Sequence, residues 1–212
     1  MARATAEQSN PVDTGERILR AALKAFAENG FDGATTRDIA HGAGVPLGLL
    51  QYHFGNKAKL WEAAVEQAFA ELRREFAAAV REARDVSDER EVFRHVIRRH
   101  VGFVSRNPEF VRLMHDEGKR RGPRMRWLVD RHVKPMFEAL IPLVSRFQDR
   151  GILPADIAPF HFAYILIGSV DVMFHQAEEC KRALGIDPAD PEIAEAHARA
   201  IESLFLGPAS KG

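Results

Sequence analysis

Residues Thr35 to Lys59 read TTRDIAHGAGVPLGLLQYHFGNKAK. The order of caps, glycines and apolar residues in this stretch spells two short helices around a tight turn, followed by the start of a longer one. Thr35 and Asp38 have the spacing of a capping box, in which the threonine hydroxyl takes a backbone N–H that the first helical turn leaves unpaired. The helix that follows spans about Thr36 to His41. Gly42-Ala43-Gly44 makes the turn, with both glycines expected at positive φ so that two helices approach closely. Pro46 suits the first position of the next helix, where its missing N–H has no partner anyway, and that helix runs to about His53. Asn56 then caps a helix whose period continues through Leu60, Ala64, Ala68 and Leu72 to about Arg84. Together with a preceding helix this is a helix-turn-helix unit.

Working outward, Ile18, Ala22, Ala25 and Phe26 recur at helical spacing from Thr14 and stop at Asn29-Gly30, a pair that tolerates left-handed backbone. Residues 1–13 lack an apolar core and read as a flexible arm, neither signal peptide nor membrane anchor. Downstream, helices are expected from Asp88 to Asn107, from Pro108 to about Gly118, from about Met125 to Asp149, from Asp156 to about Glu179 and from Pro191 to Leu206. Pro135 and Pro142 are expected to kink the third of these. No stretch alternates as a half-buried strand does, so the fold class is all-α with about nine helices. The domain division is a flexible arm 1–13, a three-helix head 14–56, a larger helical domain 57–207 and a tail 208–212.

Thirty Lys and Arg balance 30 Asp and Glu, so no global field draws the chain to a polyanion. The head itself, residues 1–60, holds seven basic against six acidic residues. A single cysteine, Cys180, excludes an internal disulfide and fits a reducing compartment, and the chain is expected in the cytoplasm. The apolar run 160–174 is shorter than the ~20 residues of a membrane span and contains His161 and Asp171, so no membrane partner is expected. Nine histidines offer acid and base groups, but no nucleophile elbow or phosphate loop accompanies them, and the chain is read as a non-enzyme.

Thr35-Thr36-Arg37-Asp38-Ile39-Ala40, Gly44-Val45, Gly48 and Tyr52-His53-Phe54-Gly55-Asn56-Lys57, with Phe26 to Phe31 upstream, resemble the DNA-binding domain of the TetR family of bacterial transcriptional repressors. The resemblance covers about the first third of the chain. It implies a homodimer whose last two helices form a four-helix bundle with the partner, a ligand cavity among the middle helices, and an operator that is released when a small-molecule effector binds. By position in the family, Pro46, Leu47, Gly48, Leu49, Gln51 and Tyr52 face double-stranded DNA, Gln51 being able to pair with adenine and Leu47 to meet a thymine methyl. Thr35, Thr36, Arg37, Tyr52, His53 and Lys57 are placed on phosphates. Core packing is the alternative for Leu47 and Leu49. The apolar Leu47 and the weakly charged head also admit another function, a helix-turn-helix-shaped protein-interaction module without DNA binding.

No cofactor is implied beyond an unidentified effector. On the helix expected from Asp156 to Glu179, His161, Tyr164, Gly168, Asp171 and His175 fall on one side. Three placements fit so polar a stripe on so apolar a helix: a seam at the dimer interface, the lining of the effector cavity, or a solvated edge. Asp171 and His175 have metal-ligand spacing but no evident third and fourth ligands, so no metal site is expected. Phe103, Met114, Trp127, Met136 and Phe137 are further effector candidates from helices around the second domain. The basic turn Lys119 to Arg126 reads as a solvated loop, with an acidic or nucleotide-bearing effector as the alternative.

Overall fold

The computed structural model describes residues 11–82 and 88–207, all of whose regular structure is helical. It divides into two compact units, Met1–Ala68 and Phe69–Gly212. The arm lies outside the described residues except that α1, Pro11–Gly33, already begins at Pro11, and the tail 208–212 lies outside them altogether.

In the first unit α1 is interrupted at Gly30, whose φ of 66° breaks the helical path where a side chain would be strained. Helix α2, Thr36–Gly42, begins with the expected box: the Asp38 N–H donates to Thr35 Oγ1 at 3.1 Å, and the Thr35 hydroxyl donates to Asp38 Oδ2 at 2.6 Å. Helix α3, Leu47–Phe54, starts one residue later than expected. Pro46 has an extended ψ of 141° and acts as the N-cap, its carbonyl accepting from Leu49 N–H at 3.0 Å. Helix α4, Lys57–Glu82, is capped by Asn56, whose side chain accepts the Lys59 N–H at 2.9 Å; the residues expected to continue it to Arg84 lie outside the described residues. Ile18, Ala22 and Phe26 of α1, Ile39 of α2, Leu50 of α3 and Leu60, Trp61 and Val65 of α4 are buried, forming the core of this unit.

The turn between α2 and α3 needs one left-handed residue, not two. Gly44 has φ 64°, whereas Gly42 stays helical at the end of α2. A Cβ on Gly44 would meet nothing within 4 Å, so the cost of Gly44→Ala is backbone strain alone. It is expected to destabilise the protein by about 1–2 kcal/mol, read as a lower urea midpoint with unchanged slope.

The second unit contains the end of α4, α5 (Glu89–Arg106), α6 (Pro108–Gly118), α7 (Pro123–Leu128), α8 (Lys134–Asp149), α9 (Pro159–His175), α10 (Ala177–Leu184) and α11 (Pro191–Leu206). Helix α5 packs against α6, α9 and α11, and its buried Phe93, Ile97, Val101 and Phe103 supply much of the apolar centre. Phe93 meets the Phe147 ring edge-on at 5.5 Å. Glu202 of α11 is buried, and its carboxyl group is partnered: Arg98 donates to both its oxygens, at 2.7 and 3.2 Å, with Arg94 at 3.9 Å.

Two expectations fail here. The helix from Met125 to Asp149 begins two residues earlier, at Pro123, and departs from α geometry in a π turn over Val129–Val133, with Lys134 N–H donating to Val129 O. That wider turn lies immediately before Pro135, which has no N–H and whose ring would otherwise crowd the carbonyl four residues back. The helix expected from Asp156 to Glu179 is two. Pro159 opens α9, and Gln176 (φ −99°, ψ 32°) separates it from α10.

Candidate DNA-reading surface and effector region

Helix α3 is short enough that its two sides are easily told apart. Leu50 points inward and is 1% exposed, while Gly48, Leu49, Gln51, Tyr52 and His53 are exposed and Pro46 stands exposed at its cap. Tyr52 is 84% exposed, with its ring edge-on to that of His53 at 5.6 Å. Leu49 (36% exposed) is more open than Leu47, which is half-buried, so the apolar contact surface of α3 is carried more by Leu49.

The phosphate candidates divide. Arg37 is exposed and Thr36 half-buried at the start of α2. The Thr35 hydroxyl proton is committed to Asp38, so this residue serves first as a cap and has only acceptor capacity left. The Lys57 ammonium donates to the Asp32 carbonyl at 3.2 Å and stands 4.8 Å above the Phe31 ring, which ties it to the corner between α1 and α2. Lys59, absent from the sequence candidates, is exposed at the same helix start. Nothing local distinguishes the two lysines in the sequence; the Asp32 carbonyl that selects Lys57 lies 25 residues away.

The effector candidates do not converge. His161 and Tyr164 are exposed, and Phe137 of α8 lies 5.0 Å from the Tyr164 ring. Gly168 is half-buried. Asp171 faces α5, with Oδ1 3.4 Å from His100 Nε2, a contact in which that oxygen makes no hydrogen bond. His175 faces α6, stacked on His115 at 4.3 Å. Phe103 is buried against Phe110, Trp127 is edge-on to His132 at 5.1 Å, and Met114 is half-buried. The stripe is thus divided between an exposed end and a packed end. Among the described residues no group of three or more His, Cys, Asp or Glu side chains is placed to hold a metal ion. In the basic turn Lys119 pairs with Asp116 at 3.1 Å and Arg124 with the buried Glu117 at 3.4 Å.

Burial holds the His175 imidazole below its ordinary range, and the positive charges of His115, Lys119 and Arg112 add to this against the opposing Asp116. A group whose pKa is lowered by folding contributes stability that is complete above its unfolded pKa of about 6.5 and is lost as pH falls through the folded value. The melting temperature is therefore expected to fall on acidification below about pH 6.5, and to fall less in His175→Gln. Identical pH profiles for the two proteins would place the effect elsewhere.

A compact head that exposes a polar-tipped helix after a glycine turn, followed by a larger helical unit, defines the class: a DNA-binding transcriptional regulator of the helix-turn-helix type. Residues 18–64 match the family model of the bacterial regulatory proteins of the tetR family, and residues 90–204 that of the tetracyclin repressor-like C-terminal domain. The chain belongs to the TetR family. It is 26% identical over 198 residues to the HTH-type transcriptional repressor NicS of Pseudomonas putida, covering 91% of each chain. It is 30% identical over 154 residues to the repressor AcnR of Corynebacterium glutamicum, covering 69% of this chain and 72% of that one. Among solved structures, the fatty acid degradation regulator FadR of Bacillus halodurans superposes with a TM-score of 0.70 at 17% identity, over 96% of this chain and 99% of that one. The Bacillus subtilis FadR solved with stearoyl-CoA gives 0.66 at 16% identity, over 92% and 99%. The curated relatives are transcriptional regulators, and among the described residues no helix is long and apolar enough to cross a membrane.

Proposed function

We propose that this repressor binds a palindromic operator as a homodimer and lets go when a small-molecule effector occupies its helical domain. The observation that carries the reading is the outward face of α3, where Gly48, Gln51 and Tyr52 lie open on a helix anchored from beneath by Leu50. Gln51 is assigned to bidentate reading of adenine, Leu49 and Leu47 to apolar contact with thymine methyls, and Pro46 and Gly48 to close approach of the backbone. Thr36, Arg37, Tyr52, His53 and Lys59 are assigned to phosphates, with Thr35 and Lys57 holding the helix starts that those phosphates meet. The working division is a reading head at 14–56 and an effector and dimerisation domain at 57–207.

Dimerisation through α9 and α11 is supported by the apolar side chains these helices leave exposed: Phe160, Tyr164, Ile165 and Val172 on α9, and Leu204, 78% exposed, on α11. His161, Gly168 and Phe137 go with this face. Asp171, His175, Phe103, Met114 and Trp127, which face inward or pack within the second unit, are the effector side of the assignment. An effector that binds the non-operator form more tightly shifts the population by its differential affinity.

The test is selection of bound duplexes from a random pool, followed by binding to the selected sequence across a salt series. A two-fold symmetric consensus with log affinity falling linearly in log salt is expected. Salt-insensitive binding or no enriched sequence would return the head to the protein-interaction reading.

A further inference from the structure

The chain is electrically neutral, yet its arginines are unevenly spread. Two adjoining grooves, of about 320 and 430 Å³, run along α5 beside the end of α4 within the second unit. Together they are lined by Arg74, Arg81, Arg94, Arg98, Arg99 and Arg106, against four glutamates; with Glu202, which pairs with Arg98 and Arg94 from behind, the described residues leave an excess of one positive charge. Of the ten effector candidates, Phe103 lines the second groove and the other nine line neither.

Arg99 and Arg106 line both grooves and stand one heptad apart on α5. They face Glu75 and Glu82, one heptad apart on α4, in an antiparallel ladder: Arg99 reaches Glu75 at 3.2 Å and also pairs with Glu82, while Arg106 reaches Glu75 at 2.7 Å. Gly102 lies between the two arginines, and a Cβ there would come within 3.1 Å of Arg106 Nη1. The missing side chain lets that guanidinium lie down on the helix and towards the groove, in a helix interior where glycine is otherwise unfavourable. Both guanidinium side chains remain open to solvent, 38% for Arg99 and 60% for Arg106. With Glu75 24% and Glu82 44% exposed, water screens these pairs in part, and an incoming anion competes with the carboxylates for the guanidinium donors. A planar guanidinium offers two parallel N–H donors, which match the oxygens of a phosphoryl group.

We propose that the groove between α4 and α5 binds a small polyanion carrying two or more phosphoryl groups, held by Arg99 and Arg106 in place of Glu75 and Glu82. Occupancy and the ion ladder exclude one another, so the end of α4 is released from α5 when the anion is bound. The proposal goes beyond operator recognition and does not depend on it.

Titration calorimetry of the full-length protein, without DNA, with tripolyphosphate at fixed ionic strength tests it. Saturable binding is expected, weakened at least ~10-fold in R99Q/R106Q, unchanged in R199Q on α11, and tightened in E75Q because the competing carboxylate is gone. Absence of saturable heat, equal affinity in wild type and R99Q/R106Q, or failure of E75Q to tighten binding would each overturn it. The E75Q arm stands even where the double arginine variant fails to fold. Parallel titrations with ADP and with sulfate identify the source: tighter ADP binding assigns the groove to a nucleotide, tighter tripolyphosphate to an inorganic chain, and equal binding of sulfate overturns the requirement for linked phosphoryl groups.

Discussion

Gln51→Ala is expected to weaken operator binding by roughly 30-fold or more. A bidentate glutamine–adenine pair contributes about 1–3 kcal/mol of discrimination, and a symmetric dimer makes the contact twice, so about 2–6 kcal/mol is at stake. The loss should be confined to the selected sequence: affinity for an unrelated duplex stays as it was, and preference at the paired base relaxes. Arg37→Ala is the comparison. A phosphate contact carries no base information, so its removal lowers affinity for all duplexes alike and reduces the salt slope by about one per protomer. Fluorescence anisotropy on both duplexes across a salt series separates the two. If Gln51→Ala lowered binding to both duplexes equally, base reading would have to be reassigned along α3.

The second large effect concerns the other side of the same helix. Leu50 is 1% exposed, so Leu50→Ala removes buried methyl groups and leaves a cavity beneath α3, with an expected cost of about 2–5 kcal/mol. Leu49→Ala, at a position 36% exposed, is expected to cost under about 1 kcal/mol. The two units are not required to unfold together, so the reading is the urea midpoint of the head, followed by Trp61 fluorescence. Trp61 is buried in the first unit, while the chain's other tryptophan, Trp127, belongs to the second; Trp127→Phe removes its signal. Equal destabilisation by both leucine variants would contradict the assignment of faces on α3.

These paired tests turn on what was legible in the chain and what was not. The Thr35–Asp38 box, the Asn56 cap, a helix start at Asp88, the breaks at Gly30 and Asn107 and the bounds of α6 and α11 are all readable in residue order. Each depends on hydrogen bonds or backbone angles within about four residues, and such local chemistry is written in residue order. The errors of one or two residues at Pro46 and Pro123 are of the same kind, since proline is accepted both at a cap and in a first turn. The break at Gln176 carries no distinctive local residue, whereas at the π turn Pro135 marks the place of a distortion but not its form.

By itself the sequence determined an all-α chain, a helix-turn-helix head and the regulator family, because caps, turns and helical periodicity act over short spans and the head's motif is dense. Tertiary structure decided which side of each helix is used. It turned Lys57 back to Asp32 and left Lys59 open, made Leu49 more exposed than Leu47, and divided the polar stripe of α9 between solvent and the partners His100 and His115. It also joined Arg99 to Glu75 and Glu82 across two helices. The physical reason is the same in each case: charged and polar residues satisfy a helical pattern equally well on any outward face, and only the packing of distant segments selects their partners.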